Sequence, residues 1–513
     1  MIKKHTLKLL IPPTLLCCTL QVGAETFEKK DSVRPNIVLF TADDLGWFSL
    51  GCYGATTDVT PNLDTFAKEG IRFEHGYVNA AISAPSRRII CTGMYGHNTG
   101  AMGFNPVDRT RDIPILPDLL REAGYGTGIL GKVEHSSPYE NYQWDFSYDY
   151  DDLGCGRDPK LYAKYFEEYV TKCMKENKPF YFMVNSHDPH RPFHDPENPK
   201  SYGTGAIPTR LFSPDEIDIP PYLPDLPEIR RELSHYFNST RRLDDTFGAV
   251  IKTLDKLKCR NNTIVIFISD NGIAVPFAKA NVYYASNRTP FLVRWPGVIK
   301  PNQINDTDLV STVDFLATFL DIARLPVPKQ TDGKSFKDVL LGKAKKHNEM
   351  VYNQIDSKIS GPPVPMRSVI TRDYCYIFNP WHDGKRVYRN NNEGESLAGI
   401  KELSKTDVEA ASRLKLYRKR VPTELYDLRK DPGALHNLVD STEYSSILKM
   451  MENLMLQQMI TSKDVLLETF KARNDQKAKE RELLKTYPTI SNEDLQKHEL
   501  LYVYPELNKS YGK

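Results

Sequence analysis

The sequence predicts an α/β fold with a large mixed, mainly parallel sheet flanked by helices, followed by a smaller C-terminal α+β subdomain. Apolar runs rich in β-branched and aromatic residues indicate buried strands. Stretches with helical periodicity lie between these runs, and such alternation is typical of a parallel sheet covered by helices. The predicted core strands span residues 36–41, 179–185, 263–269 and 291–295. The predicted core helices span residues 61–69, 115–123, 161–176, 233–257 and 313–323.

A change in composition separates the C-terminal part of the chain from this core. Residues 332–348 are polar and rich in lysine. Three short strand-like segments follow, over residues 367–371, 374–379 and 424–428. The stretch 445–485 is helical in character, and we expect its charged face to lie in solvent. We therefore predict a main domain over 25–345, an α+β subdomain over 346–440 and a helical tail over 441–513.

The first 24 residues have the pattern of a signal peptide. Lys3, Lys4 and Lys8 precede an apolar stretch over 9–20, and small residues at 22–24 offer a cleavage site before Glu25. The apolar stretch is short and interrupted by proline, which argues against a membrane anchor. We therefore expect an exported protein, periplasmic or secreted, with no membrane span in the mature chain.

Charge and cysteine content limit the partners of the mature chain. Removal of the three lysines of the leader takes the formal net charge from +2 to −1, so a general affinity for polyanions is not implied. There is no nucleic-acid-binding motif, and an anionic ligand must be held by a local cluster of charges. Six cysteines remain, without zinc-like spacing; export is compatible with one or two disulfides, but the sequence selects no pairing.

Acidic and amide side chains follow two of the predicted buried strands. Asp43 and Asp44 come after the first strand, and Asp270 and Asn271 come after the strand over 263–269. Sites in α/β sheets form outside the carboxyl ends of the strands, and four oxygen donors suit Ca²⁺ or Mg²⁺. A single Asp pair after a strand is often only a turn or a helix cap, but its double occurrence favours a metal site. The proline-rich stretch 195–227 is expected to be a surface loop near such a site.

A serine motif lies between these two strands. The stretch Ser83-Ala-Pro-Ser-Arg87, closed by Thr92 and Gly93, resembles the signature of the type I sulfatases, whose first residue is oxidised to formylglycine (3-oxoalanine). Cys91 stands where that family usually has leucine. A serine in the first position resembles the bacterial members, which implies a bacterial source and a serine-type sulfatase-maturating enzyme as partner. The resemblance also implies an alkaline-phosphatase-like core and Ca²⁺, with Mg²⁺ acceptable to the same ligands.

Other segments resemble the family in the expected order, so that the resemblance covers residues 34–438. They are Gly131-Lys132 with His135, the stretch from His187 through His190 to Arg191, Lys279 nine residues after Asp270, and the C-terminal signature over 424–432. The resemblance implies a metal held by Asp43, Asp44, Ser83, Asp270 and Asn271. It implies catalytic roles for Ser83, Arg87, Lys132, His135, His187 and Lys279.

The implied chemistry explains these residue types. Sulfate oxygens need positive charge, which the metal, Arg87, Lys132 and Lys279 would supply. The hydrate of formylglycine has two hydroxyls on one carbon: one attacks sulfur, and the other allows sulfate to be expelled. His187 is the candidate general acid for the leaving group, and His135 is a candidate base. The alternatives are that His135 faces solvent, that His190 is a structural partner of Asp188, and that Lys279 is an ordinary surface lysine.

Within the family, several stretches resemble the sulfamidases, which act on N-sulfoglucosamine of heparan sulfate. The shared stretches are 187–191, 269–273, Lys279 with Asn281 and Tyr283, and 365–369. The resemblance implies an exo-acting pocket for a heparan-type glucosamine, with substrate contacts from His190, Arg191 and Arg367. This chain departs from the sulfamidases over 354–358, so an N-, 3-O- or 6-O-sulfate stays open. Phosphodiester or phosphonate hydrolysis is a second hypothesis, and glycan binding without catalysis, if Ser83 is unmodified, is a third.

Overall fold

A computed structural model describes residues 34–198, 206–343, 346–358, 362–390 and 394–490. All of the described residues follow Val33 and belong to one compact unit. The predicted signal peptide, residues 1–24, lies outside the described residues, as does the end of the predicted tail. The predicted division of the chain near residue 345 therefore stays a prediction.

The described residues contain one large sheet and one smaller sheet that is entirely antiparallel. In chain order the strands are β1 (Asn36–Ala42), β2 (Ile71–Phe73), β3 (Gly76–Tyr77), β4 (Gly126–Leu130), β5 (Phe146–Tyr148), β6 (Phe180–Asn185), β7 (Thr263–Ser269), β8 (Phe291–Arg294), β9 (Gln303–Asn305), β10 (Val310–Ser311), β11 (Val351–Ile355), β12 (Met366–Ile370), β13 (Tyr374–Phe378) and β14 (Thr423–Asp427). Among them, the large sheet has eight strands in the order β5-β4-β6-β1-β7-β8-β2-β9. Only β8 runs antiparallel to its neighbours in this sheet, so the predicted mixed, mainly parallel sheet is confirmed.

Helices cover both faces of the large sheet. The α-helices are α1 (Pro61–Lys68), α2 (Ser83–Thr92), α3 (Gly96–Thr99), α4 (Leu116–Glu122), α5 (Val133–Ser136), α6 (Pro159–Lys175), α7 (Pro227–Lys256), α8 (Tyr284–Asn287), α9 (Phe315–Ile322), α10 (Lys337–Leu340), α11 (Gly394–Leu403), α12 (Val408–Lys419), α13 (Ser445–Thr461), α14 (Leu467–Lys471) and α15 (Gln476–Thr486). Strand β1 shows why both faces must be covered: Val38 and Phe40 join one apolar core, whereas Ile37 and Leu39 join the other. A strand buried on both sides reads as a continuous apolar run, which is how the sequence revealed it.

Two of the predicted helices begin earlier than expected, each at a proline. Helix α6 begins at Pro159, where the carboxylate of Asp158 accepts the N–H groups of Lys160 and Leu161. Helix α7 begins at Pro227. Proline in the first turn of a helix is favourable because its missing N–H would be unpaired there and its φ is already helical.

The C-terminal part has the order β11-β12-β13-β14, with the tail helices packed on it. Helix α13 contacts β12 and β13, and its residues Met451, Met455 and Met459 are fully buried. Their spacing of four residues places them on one face of the helix. The tail therefore has a buried apolar face opposite its solvated one.

No helix in the described part of the chain has the length and apolar character needed to cross a membrane. The cysteines after the leader, all of which are described, are free thiols here. They are Cys52, Cys91, Cys155, Cys173, Cys259 and Cys375.

Candidate active site

The two strands that are followed by acidic residues, β1 and β7, are neighbours in the sheet, and this brings their acids together. Strands β1 and β7 pair in parallel, with Ala42 opposite Ser269, so both carboxyl ends reach the same edge of the sheet. The N–H of Asp44 donates to Oδ1 of Asp270 over 3.1 Å, and Nδ2 of Asn271 donates to Oδ1 of Asp44 over 2.7 Å. These residues and Asp43 are completely buried. The predicted cluster of oxygen donors is therefore present.

Ser83 is the first residue of α2 and faces this cluster. Its Oγ donates to Oδ1 of Asp43 over 3.0 Å, and the residue is 3% exposed. The first turn of a helix has N–H groups without helical partners, which favour a nearby negative charge. Ser83 thus combines a carboxylate partner with an environment suited to an anion.

Arg87 lies one turn further along α2 and is fully buried. Its Nε and Nη2 reach Oδ2 of Asp270 at 3.0 Å and 2.9 Å. Its Nη1 donates to Oγ1 of Thr41 over 2.6 Å and to Oδ1 of Asn185 over 2.7 Å. Arg87 therefore joins α2 to the ends of β1, β6 and β7, and its predicted contact with sulfate remains a prediction.

Two lysines pair with the remaining acids. Lys132 Nζ forms an ion pair with Oδ2 of Asp43, and Lys279 Nζ lies 2.6 Å and 2.8 Å from the two oxygens of Asp44. Lys279 is 5% exposed, so it is not an ordinary surface lysine. Before Lys132, Gly131 has φ of 69°, and a Cβ there would lie 2.2 Å from the carbonyl oxygen of Asn185. Only glycine fits this turn.

The cluster contains equal numbers of formal negative and positive charges. The carboxylates of Asp43, Asp44 and Asp270 are matched by the cations of Arg87, Lys132 and Lys279. Burial acts to raise the pKa of Asp43, but the surrounding cations, above all Lys132, outweigh it and hold that pKa well below its usual range. Burial, together with the charge of Asp43, raises the pKa of Asp270 to about 7.

The loop after β6 brings two histidines to the cluster. The N–H of Asp43 donates to the carbonyl of Asp188 over 3.1 Å, which fixes this loop beside β1. His190 has Nε2 at 3.9 Å from Oδ2 of Asp44. Asp188 itself pairs with Arg157 and Arg242. Asp188 is therefore the anchor of the loop, and His190 is directed towards Asp44.

His187 lies beside Lys132. Its Nε2 accepts the backbone N–H of Lys132 over 3.1 Å and is 3.7 Å from Oδ1 of Asp149. Burial lowers its pKa to about 4, an effect partly offset by the nearby carboxylate of Asp149. A ring that accepts at Nε2 has no proton there to donate, so the general-acid role of His187 remains a prediction.

The other two histidines are also uncharged at neutral pH. Burial, aided by the charge of Lys132, lowers the pKa of His135 to about 3, and its buried Nδ1 has no hydrogen-bond partner in the described part of the chain. Burial, aided by the charge of Lys279, lowers the pKa of His190 to about 4. Uncharged imidazoles can accept a proton or bind a metal.

The donor set fits a hard divalent cation. Oδ1 of Asn271 is buried and has no hydrogen-bond partner among the described residues, as expected for an oxygen that binds a metal. Asp43, Asp44 and His190 have potential ligand atoms within 4.8 Å of one another, which adds a histidine to the predicted ligands. Three carboxylates and an amide would hold Ca²⁺ or Mg²⁺ through oxygen.

The remaining predicted substrate contacts are engaged elsewhere. Arg191 Nη2 pairs with Oε1 of Glu232 at 2.8 Å and donates to the carbonyl of Ala274 over 3.0 Å. Arg367 is completely buried, between Asp464 and Asp356. Its contacts are those of a structural residue, and its substrate role stays a prediction. No sequence pattern indicates Glu232 or Asp464, because these partners are distant in the chain.

Comparison with known proteins identifies the family. Residues 35–325, more than half of the 513-residue chain, match the family model described as Sulfatase. Residues 274–378 match the model described as N-sulphoglucosamine sulphohydrolase, C-terminal. The chain belongs to the sulfatase family, which confirms the resemblance drawn from the Ser83 motif and makes the protein a sulfate ester hydrolase.

Two relatives show the same identity to this chain and differ in name. N-sulphoglucosamine sulphohydrolase of Homo sapiens is 29% identical over 456 residues, covering 82% of this chain and 89% of the relative. An ulvan-active sulfatase of Formosa agariphila is 29% identical over 443 residues, covering 85% and 82%. In fold, a phosphonate monoester hydrolase of Agrobacterium radiobacter matches with a TM-score of 0.64 at 16% identity, covering 84% of this chain and 96% of that one. The predicted fold class is confirmed.

Proposed function

We propose that this sulfatase removes sulfate from a glucosamine of a heparan-type glycosaminoglycan and that N-sulfoglucosamine is its preferred substrate. Oxidation of Ser83 to formylglycine would precede this activity. The observation that carries the proposal is the 3.0 Å contact between Ser83 and Asp43 at the head of α2, inside a ring of buried cations. The match of residues 274–378 to the N-sulphoglucosamine sulphohydrolase C-terminal model supports the choice of sugar.

The side chains around residue 83 would have different roles in the reaction. Oδ1 of Asp43 accepts the hydrogen bond from the residue-83 hydroxyl and is placed to receive its proton. Lys132 and Lys279 would bind the sulfate oxygens, because their ammonium groups pair with Asp43 and Asp44 beside residue 83. Formylglycine, when present, would supply a second hydroxyl on the same carbon, so that sulfate can be expelled after transfer.

A metal and the histidines would complete the reaction. Asp43, Asp44, Asp270 and Asn271 would hold Ca²⁺ or Mg²⁺, which would offset the charge on sulfate when bound. A bound anion raises the pKa of nearby imidazoles, so sulfate binding would favour protonation of His187 for the leaving group. His135, uncharged and with a free buried nitrogen, would accept the proton that is released as sulfate leaves.

Mass spectrometry tests the modification. Protein from a host with a serine-type maturating enzyme should be about 2 Da lighter at Ser83 than protein from a host without it. An unmodified, inactive protein from the competent host would favour glycan binding without catalysis. N-terminal sequencing of the exported protein should begin at Glu25, and a chain that retains residues 1–24 would contradict the proposed export.

Sulfate release tests the substrate. The matured protein is incubated with N-sulfated, 3-O-sulfated and 6-O-sulfated glucosamine, and free sulfate is measured. We expect release from the N-sulfated sugar; release from the O-sulfated sugars alone would make the enzyme a 3-O- or 6-O-sulfatase.

The second candidate function is phosphonate monoester hydrolysis, which the fold match to the Agrobacterium radiobacter enzyme favours. A paired assay with an aryl sulfate and the matching aryl phosphonate decides between the two chemistries. A higher kcat/KM for the phosphonate would reject a sulfated sugar as the preferred substrate.

A further inference from the structure

The segment that carries Lys279 has a strained backbone. Phe277 and Ala280 have φ of 66° and 61°, in the left-handed region. Such conformations in residues other than glycine cost on the order of 1–3 kcal/mol and persist only where the surroundings fix them. The N–H of Ala280 donates to the carbonyl of Ala81 over 2.8 Å, two residues before Ser83. The position of the Lys279 ammonium therefore depends on the contacts that fix residues 277–283, here termed the Lys279 segment.

Side chains of the C-terminal part bind the backbone of the Lys279 segment. The hydroxyl of Tyr388 donates to the carbonyl of Ala280 over 2.8 Å. Nδ2 of Asn390 donates to the carbonyl of Lys279 over 3.3 Å, and Nδ2 of Asn281 donates to the same carbonyl over 3.1 Å. The backbone of the segment is therefore held by Tyr388 and Asn390 of the C-terminal part as well as by its own Asn281.

Arg420 is at the centre of these contacts. It is 3% exposed and ends α12 with φ of 56°. Its Nη2 donates to Oδ1 of Asn281, and its Nη1 donates to the hydroxyl of Tyr283 over 2.5 Å. Four aromatic rings surround the guanidinium, with centroids 4.9 Å (Tyr283), 4.9 Å (Tyr388), 5.5 Å (Tyr417) and 5.9 Å (Phe277) away. Such rings favour a buried cation.

A buried carboxylate completes the arrangement. The hydroxyl of Tyr283 accepts from Arg420 and donates to Oε2 of Glu424 over 2.7 Å. Oε1 of Glu424 accepts from Nδ2 of Asn379 over 2.8 Å. The charge of Arg420 is therefore balanced through Tyr283. Its rigid planar fork joins Asn281 and Tyr283 in a fixed geometry, which the flexible side chain of a lysine would not impose.

We infer that Arg420 is a positioning residue for Lys279: it fixes the Lys279 segment so that the ammonium of Lys279 meets Asp44 beside Ser83. The inference deepens the proposed function and rests on the role given there to Lys279. It assigns part of the assembly of the active site to the end of α12, far from the Ser83 motif in sequence.

Chemical labelling of lysine tests the inference without relying on activity. The full chain, with Ser83→Ala to prevent turnover, is treated with an amine-acylating reagent, and the labelling rate at each lysine is followed by mass spectrometry. We expect Arg420→Met to speed labelling of Lys279 by about tenfold or more, since a buried, paired amine becomes free to move. Lys132 serves as the internal control, because Gly131 and Asp43 hold it independently.

Arg413→Met is the matched control. The guanidinium of Arg413 also stacks on Phe277, at 3.7 Å, but it donates to the carbonyls of Ala434 and Gly433 and to no residue of the Lys279 segment. Unchanged labelling of Lys279 in Arg420→Met, or equal acceleration in the Arg413→Met control, would overturn the inference. If Arg420→Met does not fold, Arg420→Lys is judged by the same two outcomes.

A double-mutant cycle separates this inference from the proposed function. In the matured enzyme, Arg420→Met should lower kcat/KM for an aryl sulfate by about ten- to a hundredfold, as small misplacements of a binding group can. In a Lys279→Met background it should have an effect within about twofold, because coupled residues are not additive. An equal loss in both backgrounds would contradict positioning. Full activity of Lys279→Met with faster labelling in Arg420→Met would reject the proposed role of Lys279 and retain the positioning.

Discussion

Arg367 on β12 donates from Nε to Oδ2 of Asp464 over 2.7 Å, and both side chains are fully buried. Asp464 lies between α13 and α14, in the tail that falls outside the resemblance to the family. Asp356 adds a second carboxylate at 2.8 Å from the same guanidinium. The tail is thus joined to the four-stranded sheet by buried charges as well as by the methionines of α13.

Replacing Asp464 should destabilise the whole fold. Removal of one partner from a buried ion pair costs about 3–5 kcal/mol, and we expect Asp464→Asn to lose about 3 kcal/mol because Asp356 stays beside Arg367. The free energy of unfolding in urea measures this loss. Glu468→Gln, which removes a carboxylate from the exposed pair with Lys471, is the control and should change stability by less than about 1 kcal/mol. Equal stability of both variants would show that the pair is not needed.

The same pair predicts a loss of stability in acid. Burial acts to raise the pKa of Asp464, but Arg367 outweighs it and lowers that pKa to about 2. A depressed pKa in the folded state gives stability above the unfolded pKa of about 4, and this stability is lost as pH falls towards 2. The difference in unfolding free energy between the wild type and Asp464→Asn should therefore shrink by about 2–3 kcal/mol from pH 5 to pH 2. A constant difference over this range would contradict the assignment.

Ser83→Ala should abolish turnover and leave the fold intact. The substitution removes one hydroxyl and its hydrogen bond to Asp43, a loss of about 1 kcal/mol in stability. Sulfate release from an aryl sulfate and the melting temperature measure the two effects. Ser234→Ala is the control, since the hydroxyl of this buried serine on α7 donates to the carbonyl of Arg231 in its own helix and not to the active site. Substantial turnover by Ser83→Ala would move the nucleophile elsewhere.

Gly131→Ala should disturb Lys132 by steric conflict rather than by backbone strain alone. Gly131 and Gly124 both have positive φ, so alanine is strained by about 1–2 kcal/mol at either position. A Cβ at residue 131 would also meet the carbonyl oxygen of Asn185, whereas nothing lies within 4 Å at residue 124. We expect a larger fall in melting temperature and in kcat/KM for Gly131→Ala. Similar values for the two variants would remove the steric argument.

Calcium should stabilise the protein through Asn271. A cation that binds the folded state at 100 times its Kd adds about 2.7 kcal/mol to the unfolding free energy, so a chelator should lower the melting temperature. Asn271→Ala should weaken this response, since it removes an oxygen ligand. Asn262→Ala, at the opposite end of β7, is the control. A wild-type melting temperature that changes with neither calcium nor chelator would reject the metal site.

The sequence revealed the parts of the fold whose signal is local. The apolar runs of β1 and β7, each ending in acids, predicted both the sheet and the edge where the site lies. Strands β2, β5 and β9 have three residues each, too few to show a period, and were not predicted. Helix α2 was not predicted either, because its polar residues are buried with the apolar ones, so the sequence lacks the pattern of one apolar and one solvent-exposed face.

The sequence could not reveal contacts between distant residues. The Ser83 motif and the acids after the strands identified the centre, and the structure brings them together with Lys132 and Lys279. Nothing near Arg420 or Arg367 in sequence indicates Asn281 or Asp464, since these partners are 139 and 97 residues away. Pairing of this kind is decided by the tertiary fold. The fold also places Asp188 in ion pairs with Arg157 and Arg242 and not with His190.

A cluster whose acids and basic side chains are equal in number has no net formal charge to attract cations or anions. Entry of a divalent cation would leave two positive charges in excess, and a sulfated sugar would then be drawn in to neutralise them. By reciprocity, the sugar must raise the affinity for the cation by the same factor. Metal and substrate would therefore be retained together, and free sulfate, itself an anion, would compete for the site while the metal stays bound.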